Sequence, residues 1–194
     1  MIIKNSLKAF ILISLVLIAS IAIMILPSFV TKGVSRIELN QELQLDLVLD
    51  EDNDIELVFF GYAGCSDICT PRLETISQWY TQLPLDLKNR LGLKFLDLSV
   101  PKDKKLPDSF AKAFHQDFKG VYLEPSLLRN YTKAFSVYFS PSLMNETEID
   151  HTSHLYLAKR DKVNKKLRFI YTAYPYDFKQ IQHDIQELLH EPIL

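Results

Sequence analysis

"IELVFFGYAGCSDICTPRLE", Ile55 to Glu74, joins an apolar, aromatic-rich run to a turn that holds both cysteines of the chain. The run breaks at Gly61, the pattern of a short buried strand. Beyond the cysteines, Leu73, Ile76, Trp79, Tyr80 and Leu83 recur at helical spacing, with Pro84 as a stop. Pro71 suits the first turn of that helix, where a missing N–H is no loss. The stretch therefore predicts strand, cysteine turn and helix in direct succession.

Working outward, "LKFLDLSV" (Leu93 to Val100) reads as a second buried strand, and a helix follows around Phe110, Ala113 and Phe114. Another helix opens near Pro125 and carries Leu127, Leu128, Tyr131 and Phe135 on one side. "HLYLAK" and "LRFIYTAY" read as strands separated by the charged link "RDKVNKK", which has the look of a hairpin turn. A last helix shows Phe178, Ile181, Ile185, Leu188 and Leu189. A strand–helix–strand unit followed by a β-hairpin and a helix is the thioredoxin-like plan, an α/β fold with a central mixed sheet flanked by helices. In an α/β sheet the chemistry sits at the carboxyl ends of the strands, which is where Cys65 and Cys69 fall.

The chain has 194 residues, 47% hydrophobic and 24% charged, with a formal net charge of −2. That supports one domain with its own core. Near-neutral charge argues against a nucleic-acid binder, which needs a basic face to neutralise phosphates. Two cysteines are too few for a disulfide scaffold.

Ala9 to Leu26, "AFILISLVLIASIAIMIL", carries no charge. As a helix it would span roughly 27 Å, close to the thickness of a hydrocarbon core. A cleaved signal peptide has a shorter apolar region and a small-x-small cleavage site, whereas here the exit reads Pro27-Ser28-Phe29-Val30. The expectation is an uncleaved transmembrane anchor over residues 9–26, after a short cytoplasmic N-terminus (1–8). Residues 27–54 would form a tether with irregular or short strand structure, and 55–194 the folded domain. The positive-inside bias is slight, with Lys4 and Lys8 before the anchor and Lys32 and Arg36 after it. An N-in signal anchor would place the protein in the cytoplasmic (inner) membrane as a single-pass protein, its soluble domain in the periplasm.

Cys65-Ser66-Asp67-Ile68-Cys69 is C-x-x-x-C, one residue longer than a thioredoxin-type couple. The spacing allows a disulfide, a redox couple, two inert core thiols, or two thiolates around one soft metal ion. An iron–sulfur cluster would want four cysteines, and structural zinc four protein ligands. Copper(I) is content with three, so one histidine would complete a site. His183 and His190 lie in the terminal helix and read as surface residues; His115 follows a helix and reads as structural. His151 and His154, at the start of the late strand, remain. Three positions apart, they face opposite sides of an extended chain, so both are not expected on one ion.

At this point the residues resemble the Sco/SenC copper-binding proteins. "VFFGYAGCSDIC" is similar to that family's cysteine segment, and "FAKAFHQDFKGVYLEPSLLRNYTKAFSVYF" to the stretch that follows. "IDHTSHLYLAKRD" resembles its Asp-His-[Ser/Thr] segment. The likeness runs from about Leu57 to Asp177. It implies a thioredoxin-like, membrane-anchored domain whose copper ligands are Cys65, Cys69 and His151, with no counterpart for His154. It also implies copper as the bound metal, Cu(I) or Cu(II), and a role in assembling the copper-A centre of cytochrome c oxidase. The partner would be subunit II of that oxidase or another copper-accepting protein. The resemblance implies a protein that delivers copper, reduces the target's cysteines, or both: a metallochaperone more than an enzyme, with thiol–disulfide exchange left open. The rival is a thiol–disulfide oxidoreductase in which Cys65 and Cys69 form the redox pair and no metal is carried. Asp67 could attract a cation or form a turn, and Asp150 could orient His151. The chain departs from the family pattern in four places: Ser66 replaces a proline, Thr70 displaces another to Pro71, Ala63-Gly64 replaces Thr-His, and Ser99-Val100-Pro101 lacks an acid.

Overall fold

A computed structural model describes residues 13–17, 20, 35–43, 53–143, 145, 148–161 and 164–191. The chain divides into two units, Met1–Ser35 and Arg36–Leu194. In the first, residues 13–17 and 20 are helical, and the Ser20 hydroxyl donates to the Val16 carbonyl at 2.8 Å. Among the described residues no helix is long and apolar enough to cross a membrane. Most of the expected anchor, Ala9–Leu26, lies outside them.

The second unit holds a six-stranded mixed sheet of β1 (Arg36–Leu43), β2 (Ile55–Gly61), β3 (Leu91–Asp97), β4 (Phe118–Val121), β7 (Leu155–Asp161) and β8 (Asn164–Tyr171). Its order is β1-β8-β7-β2-β3-β4. β2, β3 and β4 run parallel, while β7, β8 and β1 pair antiparallel. A separate two-stranded ladder joins β5 (Phe139–Pro141) to β6 (Ile149–His151). All seven residues of β2 and of β3 are buried, as central strands covered on both faces must be.

Alternation sends the two sets of strand side chains into two cores. Ile55, Leu57 and Phe59 of β2, with Leu93 and Phe95 of β3, meet α1 (Cys69–Gln82), α3 (Leu106–Lys112) and α5 (Phe178–His190). Val58 and Phe60, with Leu96 and Tyr156, meet α4 (Pro125–Ala134) through Leu128 and Tyr131. A one-turn helix, α2 (Leu85–Lys88), adds Leu87 to the first core. Leu167 and Phe169 share strand parity yet belong to opposite cores. The reason is a bulge: Leu157 pairs with Phe169 but Ala158 with Leu167, so Arg168 is extra and the side chains change face.

Several expectations need adjusting. The second strand ends at Asp97 and not at Val100, because the Asp97 carboxylate accepts from the Ser99 N–H at 2.7 Å and turns the chain. The charged link "RDKVNKK" is mostly strand: Arg160 pairs with Lys165 and Asp161 with Asn164. Leu127 is 38% exposed, since the buried stripe of α4 runs through Leu128, Tyr131 and the following Phe135. Within the 27–54 segment, Arg36–Leu43 is an edge strand of the main sheet.

Candidate metal centre

β2 delivers the chain to the cysteine turn at the carboxyl edge of the sheet. Gly61 has to be glycine there: a Cβ would sit 2.5 Å from Cys69 Sγ and 2.9 Å from the Phe95 ring. The turn is tied down from two sides. The Asp97 carboxylate, fully buried, accepts from the Ala63 N–H at 2.9 Å through Oδ2 and from Ser99 through Oδ1. The Cys65 N–H donates to the Tyr62 carbonyl at 3.1 Å. Between them Gly64 adopts φ +94°, the left-handed region that other residues enter at a cost.

Cys65 and Cys69 are free and buried, 4% and 0% exposed. Cys69 opens α1, and its N–H donates to Cys65 Sγ at 3.4 Å. Thr70 donates both its N–H (3.2 Å) and its hydroxyl (2.8 Å) to the Cys65 carbonyl. Sulfur at a helix N-terminus meets the positive end of the helix dipole, which favours thiolate. A hydrogen bond from the Cys69 thiol, with the backbone N–H groups of Cys69 and Ile68, outweighs burial and holds Cys65 down at about 3. The same bond, with burial and the Cys65 charge, pushes Cys69 well above the ordinary thiol range. Between them the two sulfurs hold one proton.

His151 ends β6, opposite Phe139 of β5. Thr152 fixes its exit: the Thr152 N–H donates to the Tyr138 carbonyl at 2.8 Å, and the Thr152 hydroxyl accepts from the Tyr138 N–H at 3.0 Å. His151 Nδ1 lies 3.1 Å from the Thr152 carbonyl. A carbonyl only accepts, so Nδ1 carries the proton and Nε2 presents its lone pair. Nε2 points at Cys69 Sγ, 3.6 Å away. The ligand atoms of Cys65, Cys69 and His151 all lie within 4.8 Å of one another. Ligands at about 2.0–2.3 Å from one ion stand at comparable separations, so the set fits a single metal. Two sulfurs and one imidazole suit a soft ion.

The other candidates separate from this group. His154 is half-buried beside Tyr156, ring centroids 6.2 Å apart, and its buried Nδ1 has no hydrogen-bond partner among the described residues. His115 packs on Tyr80 and Phe118. His183 is exposed beside Glu187, and His190 is exposed as well. Asp67 is exposed and accepts from the neighbouring Ser66 hydroxyl at 2.8 Å. Asp150 is exposed, and the group that orients His151 is the Thr152 carbonyl instead. Sequence reasoning missed Asp97, Thr152 and Tyr62. Tyr62, an aromatic beside the cysteine turn, and Thr152, in the segment likened to Asp-His-[Ser/Thr], left a signal there.

Fold and site thus define a thioredoxin-like domain whose two buried cysteines meet a half-buried histidine at the sheet's carboxyl edge. Residues 50–190 match the SCO1/SenC protein family, and the chain belongs to that family. It is similar to the mitochondrial protein SCO2 of Saccharomyces cerevisiae, 26% identical over 108 residues. That match spans 52% of this chain and 35% of the yeast protein. Among solved structures it resembles apo Sco1 from Thermus thermophilus, with a TM-score of 0.60 and 23% identity over 81% of this chain and 95% of the other. It also resembles Arabidopsis thaliana ScoI with copper bound, with a TM-score of 0.59 and 16% identity over 72% of this chain and 86% of the other. These two likenesses establish the fold.

Proposed function

We propose that this chain is a membrane-anchored copper chaperone that holds one copper(I) ion on Cys65, Cys69 and His151 and passes it to a copper-accepting protein. The observation that carries this reading is the convergence of two sulfurs and an imidazole Nε2 within 4.8 Å. Family membership and a copper-bound structural neighbour support it. Cys65 enters as thiolate, Cys69 gives up its proton on binding, and the Thr152 carbonyl keeps the imidazole in the tautomer that offers Nε2. Three ligands leave one side of the ion open, so an acceptor's ligands can join before these let go. The acceptor we infer is subunit II of cytochrome c oxidase, during assembly of its copper-A centre. The uncharged run Ala9–Leu26 supports an anchor in the inner membrane with the site in the periplasm.

A second reading is favoured by the thiolate at the helix N-terminus. Cys65 would attack a target disulfide, releasing one target thiolate and forming a mixed disulfide. Cys69, losing its proton, would then displace the second target thiolate and close the Cys65–Cys69 disulfide. This reading needs no His151. The experiment that separates them is an anaerobic copper(I) titration of the reduced full chain in detergent against a strong chelator. One tightly held ion, lost in Cys65→Ser and weakened in His151→Ala, supports the chaperone. No competitive binding, alongside a reversible disulfide, overturns it in favour of the oxidoreductase.

A further inference from the structure

His151 lies on a three-residue strand that, among the described residues, pairs with β5 and not with the six-stranded sheet that fixes the cysteine turn. The ladder of the main sheet resumes only at Leu155 of β7, so side-chain contacts across the gap help to set the distance between the imidazole and the sulfurs. Tyr62 makes such a contact. It follows β2 directly, its carbonyl accepts from the Cys65 N–H at 3.1 Å, and it is half-buried against the core on the α1 side. Its ring meets the His151 imidazole edge-on, with centroids 6.1 Å apart and planes at 88°. That is the arrangement in which an aromatic pair is attractive.

We propose, building on the copper-carrier reading, that Tyr62 is a positioning residue: packed between the cysteine turn and β6, it holds the His151 imidazole at the cysteine pair. Without Tyr62 the imidazole is free to leave, and a three-ligand site becomes a two-thiolate site.

The test uses Tyr62→Leu and Tyr62→Phe in the full chain, each with and without His151→Ala. In metal-free protein, nitrogen NMR of the His151 ring should show the Nδ1–H tautomer, and Tyr62→Leu should shift it towards a tautomer mixture. Tyr62→Leu should weaken copper(I) binding about 10-fold when His151 is present. It should change binding by less than about 2-fold in the His151→Ala background, because it acts through that ring. Tyr62→Phe, which keeps the ring contact, should bind copper(I) within about 2-fold of the unsubstituted chain, and Tyr62→Met serves if the leucine variant does not fold. For the variants that remove the ring, equal losses in both backgrounds, no loss in either, or an unchanged His151 spectrum would overturn the proposal. If the unsubstituted chain binds no copper(I), the carrier reading fails by itself, and the metal-free spectrum still decides the role of Tyr62.

Discussion

Cys69 Sγ and His151 Nε2 stand 3.6 Å apart although 82 residues separate them in sequence. One sits in the first turn of α1, the other at the end of a strand outside the main sheet. The fold's central work is to bring these two atoms and Cys65 together, and the variants below probe how it does so.

Cys69 holds the proton that the pair shares, whereas Cys65 is a thiolate from about 3 upward. Loading one copper(I) ion near neutral pH should therefore release about one proton, from Cys69. Proton release measured in weakly buffered solution checks this, and two protons per ion would contradict the assignment.

The Cys65 thiolate should also be visible without metal. Ultraviolet thiolate absorbance of the reduced protein should persist at pH 5, fall as pH drops through about 3, and vanish in Cys65→Ser. Because the folded pKa is depressed, its stabilising contribution is complete above the unfolded thiol pKa of about 8.5 and is lost as pH falls through the folded value. Stability from this group thus rises with pH between those limits.

Gly61→Ala would place a Cβ 2.5 Å from Cys69 Sγ. Neither the sulfur nor the Phe95 ring can retreat without disturbing the buried core, so the substitution should cost about 1–3 kcal/mol. It should also weaken copper(I) binding by displacing a ligand. Urea denaturation and chelator competition read the two effects separately.

Arg36, at the start of β1, donates to both carboxylate oxygens of Asp184 at 2.8 and 3.0 Å; that carboxylate is fully buried and also accepts from the Tyr171 hydroxyl at 2.7 Å. Arg36→Ala leaves a buried charge without its cation and should destabilise by about 3 kcal/mol. Urea denaturation measures the loss.

Glu191 receives a two-pronged hydrogen bond from Arg168 at 2.6 and 2.7 Å, which holds its carboxyl down at about 2. Its folded pKa is depressed, so its contribution is complete above the ordinary carboxyl value of about 4.3 and is lost as pH falls through about 2. At 40% exposure the side chain is screened, and the gain stays below about 1 kcal/mol. Denaturation at pH 2 and pH 6 should differ slightly less in Glu191→Gln than in the unsubstituted chain.

The parts of this protein legible in its sequence are those with a strong period or a rare residue. α1 and α5 bury apolar residues at helical spacing, β2 is a short apolar run closed by Gly61, and two cysteines between a strand and a helix mark the site. β1 was obscure because an edge strand needs little burial: of its eight residues only Leu43 is buried. β4, with four residues, and β5 and β6, with three each, are too short for any period to register. Yet β6 delivers His151, so the residues alone narrow the third ligand to His151 or His154, and the family resemblance chooses between them. The Asp97 carboxylate takes two backbone N–H donors, and Thr152 offers its carbonyl to a ring nitrogen. The sequence shows Thr152 as part of the Asp-His-[Ser/Thr] segment, but the groups that these two residues meet are set by folding.

The most direct measurement of the central claim is X-ray absorption at the copper edge of the copper(I)-loaded full chain, beside His151→Ala. Two sulfurs and one nitrogen around each ion, with the nitrogen lost in the variant, is the predicted result. A nitrogen-free spectrum in the unsubstituted chain, or one unchanged by removal of His151, would contradict the account.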